Sequence, residues 1–216
     1  MKRRSRRTAA KPRAPTADAA FDRAIVDAAL AEAERGGWDA LRLRRVAAAA
    51  GTDLAALVTR FPSADAIADA WLDRATVAMA AGAPALAGLA PPARLEGAIF
   101  AWLGALAPHR RVARAILLGK LYPGHPHLVA GLVVRVSRTV QLLRDAAGLD
   151  APPPRRQLEE IALTWLFAAI VARWAADASE EQRATRDFAR RALAGLDRLA
   201  GAASRMGAWA WAQRRA

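Results

Sequence analysis

Residues 41–67, LRLRRVAAAAGTDLAALVTRFPSADAI, constrain the fold of this chain more than any other stretch. A short apolar run with helical spacing (Leu43, Val46, Ala47, Ala50) ends at Gly51, a residue suited to a positive-φ turn. Asp53 is placed to cap a second short helix over 54–60, with Leu57 and Phe61 turned inward. Pro62 stops that helix and Ser63 caps the next. Ala47 and Ala50 are small enough for the two short helices to cross closely. Helix, tight turn, helix is the arrangement these residues predict.

The rest of the chain agrees with an all-helical protein. Of its 216 residues 54% are hydrophobic, enough for a buried core, and alanine, leucine and valine dominate over β-branched and aromatic types. No stretch alternates like a strand. Asp18 is expected to cap a first helix over 19–35, followed by Gly36-Gly37 and a packed Trp38. A fourth helix should reach about residue 80, and residues 82–92, with Pro84, Gly88, Pro91 and Pro92, read as a break. Further helices are predicted over 93–107, 110–121, 127–147 and 155–176, the last greasy on more than one face. Ser179-Glu180-Glu181-Gln182 reads as a capping box for a ninth helix ending near residue 199. The expected organisation is a basic arm (1–17), a three-helix helix-turn-helix unit (18–63), a larger helical ligand-binding and dimerisation domain (64–201) and a tail (202–216).

A net charge of +13 points to an anionic partner, nucleic acid or a membrane surface. Seven of those thirteen charges lie in residues 1–16, which hold no acid, so the body is only mildly basic. The arm resembles a transit peptide in composition, but Pro12 and Pro15 break it as an amphipathic helix, and a disordered arm on a cytoplasmic protein is expected. No apolar run approaches the ~20 residues of a membrane span. The absence of cysteine excludes disulfides, thiolate zinc sites and cysteine nucleophiles. Of the three histidines, His109, His125 and His127, the last two flank Pro126 without a nearby carboxylate or thiol and make a poor metal site, and Glu159-Glu160 and Glu180-Glu181 stand at helix starts where they complement the dipole. With no Gly-x-Ser-x-Gly, phosphate-loop or dinucleotide fingerprint, neither catalysis, a metal nor a cofactor is expected.

The tract Val46-Ala47-Ala48-Ala49-Ala50-Gly51 followed by Phe61-Pro62-Ser63 and Ala66-Ile67 resembles the TetR family of bacterial one-component regulators, and the order of helices from about residue 18 to 200 resembles it too. The resemblance implies a homodimeric DNA-binding transcriptional repressor. A hydrophobic small-molecule pocket would lie among the fifth to eighth helices, and dimer contacts on the eighth and ninth. Carried onto this sequence, operator contacts would come from Arg42, Arg44, Arg45, Asp53, Leu54, Ala55, Val58, Thr59 and Arg60, with Arg3, Arg4, Arg6 and Arg7 of the arm. Ligand contacts would come from Phe100, Trp102, Leu103, Ile116, Trp165 and Phe167. Dimer contacts would come from Leu166, Ile170, Trp174, Phe188 and Leu196.

The sequence departs from the family where DNA is touched. Leu41 replaces a phosphate-binding Thr, and Leu54-Ala55-Ala56 and Val58 replace Lys-Gly-Thr and a Tyr. Ala64 replaces the Lys after Phe-Pro-Ser. Leu, Ala and Val offer no donor or acceptor to base edges, leaving contact with a thymine methyl. The arm and the arginines of the second helix would supply affinity with little discrimination. An alternative therefore stays open. Trp174-Ala175-Ala176-Asp177-Ala178-Ser179 with Thr185 and Phe188 is also similar to the ubiquinone-biosynthesis accessory protein, a lipid- and quinone-binding relative that no longer reads DNA. Trp209 and Trp211 with Arg205, Arg214 and Arg215 could anchor at a membrane surface. Two residues apart, however, the tryptophans sit on different sides of a helix, which favours packing on the body instead.

Overall fold

The computed structural model describes residues 16–122, 124, 126–153 and 155–213, with side chains described through residue 201. Its elements are α1 (Ala17–Gly36), α2 (Leu43–Ala49), α3 (Leu54–Arg60), α4 (Ala64–Leu86), α5 (Pro91–Leu106), α6 (Arg110–Lys120), α7 (Pro126–Ala146), α8 (Arg155–Ala176) and α9 (Arg183–Gln213), with single 3-10 turns before α6 and α9. There is no strand among the described residues. The protein is all-α, as the composition and periodicity predict.

Local chemistry sets the N-terminal unit. Thr16, rather than the expected Asp18, caps α1 by accepting from the Ala19 N–H; Asp18 lies in the first turn, where it still complements the dipole. At the end of α2, Gly51 takes φ +69°, and Thr52 N–H and Gly51 N–H donate back to the carbonyls of Ala47 and Ala48, a Schellman closure. Asp53 then accepts from Ala56 N–H at 2.7 Å to start α3, and Ser63 from Ala66 N–H at 3.1 Å to start α4. Ile25, Ala29, Val46, Leu57 and Ile67 close the core of this unit, with Trp38 packed at its edge.

α4 carries that unit into the larger body. The break expected over 82–92 shrinks to residues 87–90. Pro84 sits in the last turn of α4, and Pro91 and Pro92 occupy the first turn of α5, where a missing N–H costs nothing. α4 and α5 form an antiparallel pair on which α7 and α9 lie, and α8 packs between α6, α7 and α9. At the α8–α9 corner the Ser179–Gln182 capping box does not form. Glu181 and Gln182 both take positive φ, and the Ser179 hydroxyl instead accepts from Ala184 N–H and donates to Asp177. α9 runs on helically to Gln213, through the segment expected as a tail. The side chains of Trp209 and Trp211 lie outside the described residues.

Candidate nucleic-acid interface and ligand cavity

α2 and α3 divide the expected DNA-contacting residues by chemistry. On α2, Arg44 and Arg45 are exposed, and their side chains make no hydrogen bond or ion pair among the described residues. Arg42, at the N-cap, donates to the carbonyls of Asp39 and Leu41. On α3 the outward residues are Leu54 (45% exposed), Ala55, Ala56, Val58 (39% exposed), Thr59 and Arg60. The Thr59 hydroxyl donates to the Ala55 carbonyl at 2.8 Å. Arg60 reaches back to α1 and grips Asp22 through Nε (2.6 Å) and Nη2. That fork holds the Asp22 carboxyl below its usual range, against the opposing effect of burial, and holds the guanidinium above its own. Arg3, Arg4, Arg6 and Arg7 lie outside the described residues.

A cavity of about 330 Å³ opens between α6, α7 and α8, roofed by Leu72 of α4 and Trp102 of α5. Leu117, Leu121, Leu132, Val136, Phe167 and Val171 make its wall apolar; Arg114, Arg135 and Thr139 are its polar groups. Trp102 is fixed by an edge-on contact with Phe167 (5.2 Å between centroids) and by donating to Thr76 at 3.2 Å. Of the residues expected around a ligand, Trp102 and Phe167 line this space. Leu103 and Ile116 are core beside it, and Phe100 is half-buried against the core, beneath the Arg186 guanidinium and away from the cavity lining. Trp165, two residues before Phe167 and so on the other side of α8, is 74% exposed and does not line the cavity. Leu117, Leu121, Leu132 and Val136 also line the cavity, although none of them is among the ligand contacts expected from sequence. Their helical spacing was visible, but it marks an inward face without saying whether that face meets side chains or space.

The cavity wall is joined to α4 by charge. Arg135 contacts Asp69 through Nε at 3.2 Å and also pairs with Asp73. Lys120, buried at the end of α6, bridges Asp65 (3.1 Å) and Asp69 (3.2 Å). A second junction ties α1 to the start of α6. Glu34 lies 3.3 Å from His109 Nδ1 and accepts from Arg111, and His109 meets Trp71 edge-on. No pattern in the sequence announces these pairs, because each joins elements far apart in the chain.

Among the residues expected in a dimer contact, Ile170 and Trp174 are enclosed within the chain, and Leu166, Phe188 and Leu196 are partly covered by it. The large apolar side chains that stand free on α8 are Leu158, Ile161 and Trp165, with Leu199 on α9. Glu159 and Glu160 are tied up within the chain by the buried Arg144. No group of three metal-ligating side chains occurs among the described residues. No helix among them is long and apolar enough to cross a membrane.

A helix-turn-helix carried on a long helix into an all-α body with an apolar cavity defines a class of one-component regulators, and the comparisons agree. Residues 25–71 match the family described as bacterial regulatory proteins, tetR family. The TetR transcriptional regulator from Nitrosomonas europaea ATCC 19718 is 36% identical, with 81% of this chain and 97% of that one covered at a TM-score of 0.72. A TetR-like transcriptional regulator from Rhodococcus sp. RHA1, 21% identical, shares the fold over 86% of this chain and 99% of that one at a TM-score of 0.53. No curated protein matches the chain. The chain belongs to the TetR family of transcriptional regulators.

Proposed function

We propose that the protein is a homodimeric repressor whose affinity for a duplex operator is set by a hydrophobic small molecule in the α6–α7–α8 cavity. The observation that carries this reading is continuity. α4 leaves the helix-turn-helix at Ser63, contributes Leu72 to the cavity roof, and presents Asp69 to both Lys120 and Arg135, the latter a wall residue of the same cavity. A ligand that moves Arg135 or Leu117 therefore acts on the helix that carries α3. The outward stripe Leu158, Ile161, Trp165 gives α8 an apolar face for its twofold mate. Two copies of α3 would then enter major grooves about one helical turn apart.

The test is binding to the DNA upstream of the protein's own gene in modest salt, against excess unrelated duplex. Competition-resistant binding with a steep salt dependence is expected, and it should weaken when a small molecule recovered from the freshly purified protein by native mass spectrometry is added back. Binding that unrelated duplex abolishes would overturn the repressor reading. The apolar cavity and the donor-poor α3 also suit the alternative, a lipid- or quinone-binding protein that has left DNA. Its signature is a co-purifying lipid in protein that binds no duplex.

A further inference from the structure

α3 is a helix-turn-helix second helix whose hydrogen-bonding side chains are already engaged inside the protein. Asp53 caps it, Thr59 is turned onto its own backbone, and Arg60 holds Asp22 through two of its nitrogens. What faces outward instead is an apolar strip: Leu54, Ala55 and Val58, one turn of helix, with Leu54 and Val58 well exposed although the unit has a complete core of its own. On α2, the other helix of the helix-turn-helix, Arg44 and Arg45 are exposed cations whose side chains have no partners among the described residues. The unit thus combines an apolar outer strip on α3 with free cations on α2.

We propose that Leu54, Ala55 and Val58 read the C5-methyl groups of pyrimidines in the major groove, so that the preferred duplex is selected by its thymine methyls rather than by hydrogen-bond pattern. This rests on the DNA-binding reading above and adds what the bound sequence must offer. The C5-methyl of thymine is the one apolar group that the four bases present in the major groove. Against Leu54 or Val58, a cytosine amino group or a guanine O6/N7 edge would lose water with nothing to replace it, which is costly. A thymine methyl loses water favourably. The same strip can serve both terms, penalising G·C pairs and favouring T·A pairs, without a single donor. A consequence separates it from hydrogen-bond readout: 5-methylcytosine regains the methyl term and should bind better than cytosine, while its amino group and the paired guanine edge keep it below thymine.

The test uses duplexes enriched by the full-length protein from a random library, resynthesised with uracil in place of thymine one position at a time. Uracil removes only the methyl. Affinity should fall about fourfold at each contacted position, the factor that ~0.8 kcal/mol for a buried methyl-sized group corresponds to. A 5-methylcytosine–guanine pair there should bind more tightly than cytosine–guanine. Leu54→Ala and Val58→Ala, checked for unchanged helicity, should flatten the thymine-to-uracil affinity ratio at the positions they contact, and a ratio that stays near about fourfold in both variants would place methyl readout on other residues. Specific binding with equal affinity for thymine and uracil at every position would overturn methyl readout and leave the regulator reading standing. Failure to enrich any duplex would overturn both.

Discussion

Asp177 lies where α8 gives way to α9, and its carboxylate accepts four hydrogen bonds, from the N–H and hydroxyl of Ser179 and of Thr185. Burial pushes this carboxyl up, but the four donors outweigh burial and hold it well below the usual carboxylate range. With the folded value lower than the unfolded one of about 3.9, its contribution to stability is complete above about pH 5 and is lost as pH falls from there through the folded value. Asp177→Asn should therefore cost about 2–3 kcal/mol near neutrality, since charge-assisted bonds to a buried group are lost. Below about pH 4 the variant should lose stability less steeply than the parent. Urea unfolding between pH 7 and pH 2 checks both; parallel curves would remove Asp177 as a stabilising anion. The same residues form the tract that resembles the quinone-binding relative. Asp177, Ser179 and Thr185 of that tract fix the α8–α9 corner.

At the scale of elements, the proposed reading gives affinity to α2 and discrimination to α3. Arg44→Gln with Arg45→Gln should weaken binding to all duplexes alike and reduce the salt slope by about 0.9 for each phosphate contact removed per protomer. A titration of affinity against salt reads this directly, and an unchanged slope would place the phosphate contacts elsewhere. The helix-turn-helix was legible in the sequence because its signals are local: Gly51 for the positive φ, Asp53 and Ser63 for caps, and the spacing of Val46, Ala47 and Leu57 for the core. α8 was legible as a helix but not in its orientation. It is apolar nearly all round, so periodicity gave no basis for deciding that Trp174 turns into the chain and Trp165 away from it. Pro84 signals a break in the sequence, although a proline in a final turn is accommodated when the carbonyl it would clash with can tilt away. The commitment of Arg60 to Asp22, thirty-eight residues earlier, is a tertiary fact that no local pattern carries.

For the whole molecule, the exposed stripe Leu158, Ile161, Trp165 must be covered if the protein works as a dimer. Trp165 is free of the chain's own core, so Trp165→Glu should leave helicity and ligand-cavity packing intact while placing two carboxylates at the twofold contact. Sedimentation at micromolar protein should show the parent as a dimer and the variant as a monomer, with operator binding lost in step. A variant that stays dimeric would move the interface off this face of α8.

On the proposed reading this helix-turn-helix still selects DNA sequence, and the basic arm adds affinity without choosing the site. Selection from random duplexes by the full-length protein and by protein lacking residues 1–16 tests it most directly. The expected result is one inverted-repeat motif, with half-sites about one helical turn apart, enriched by both proteins and bound more weakly by the shortened one. Enrichment of no motif by either protein, or binding that disappears on every sequence when residues 1–16 are removed, would contradict it.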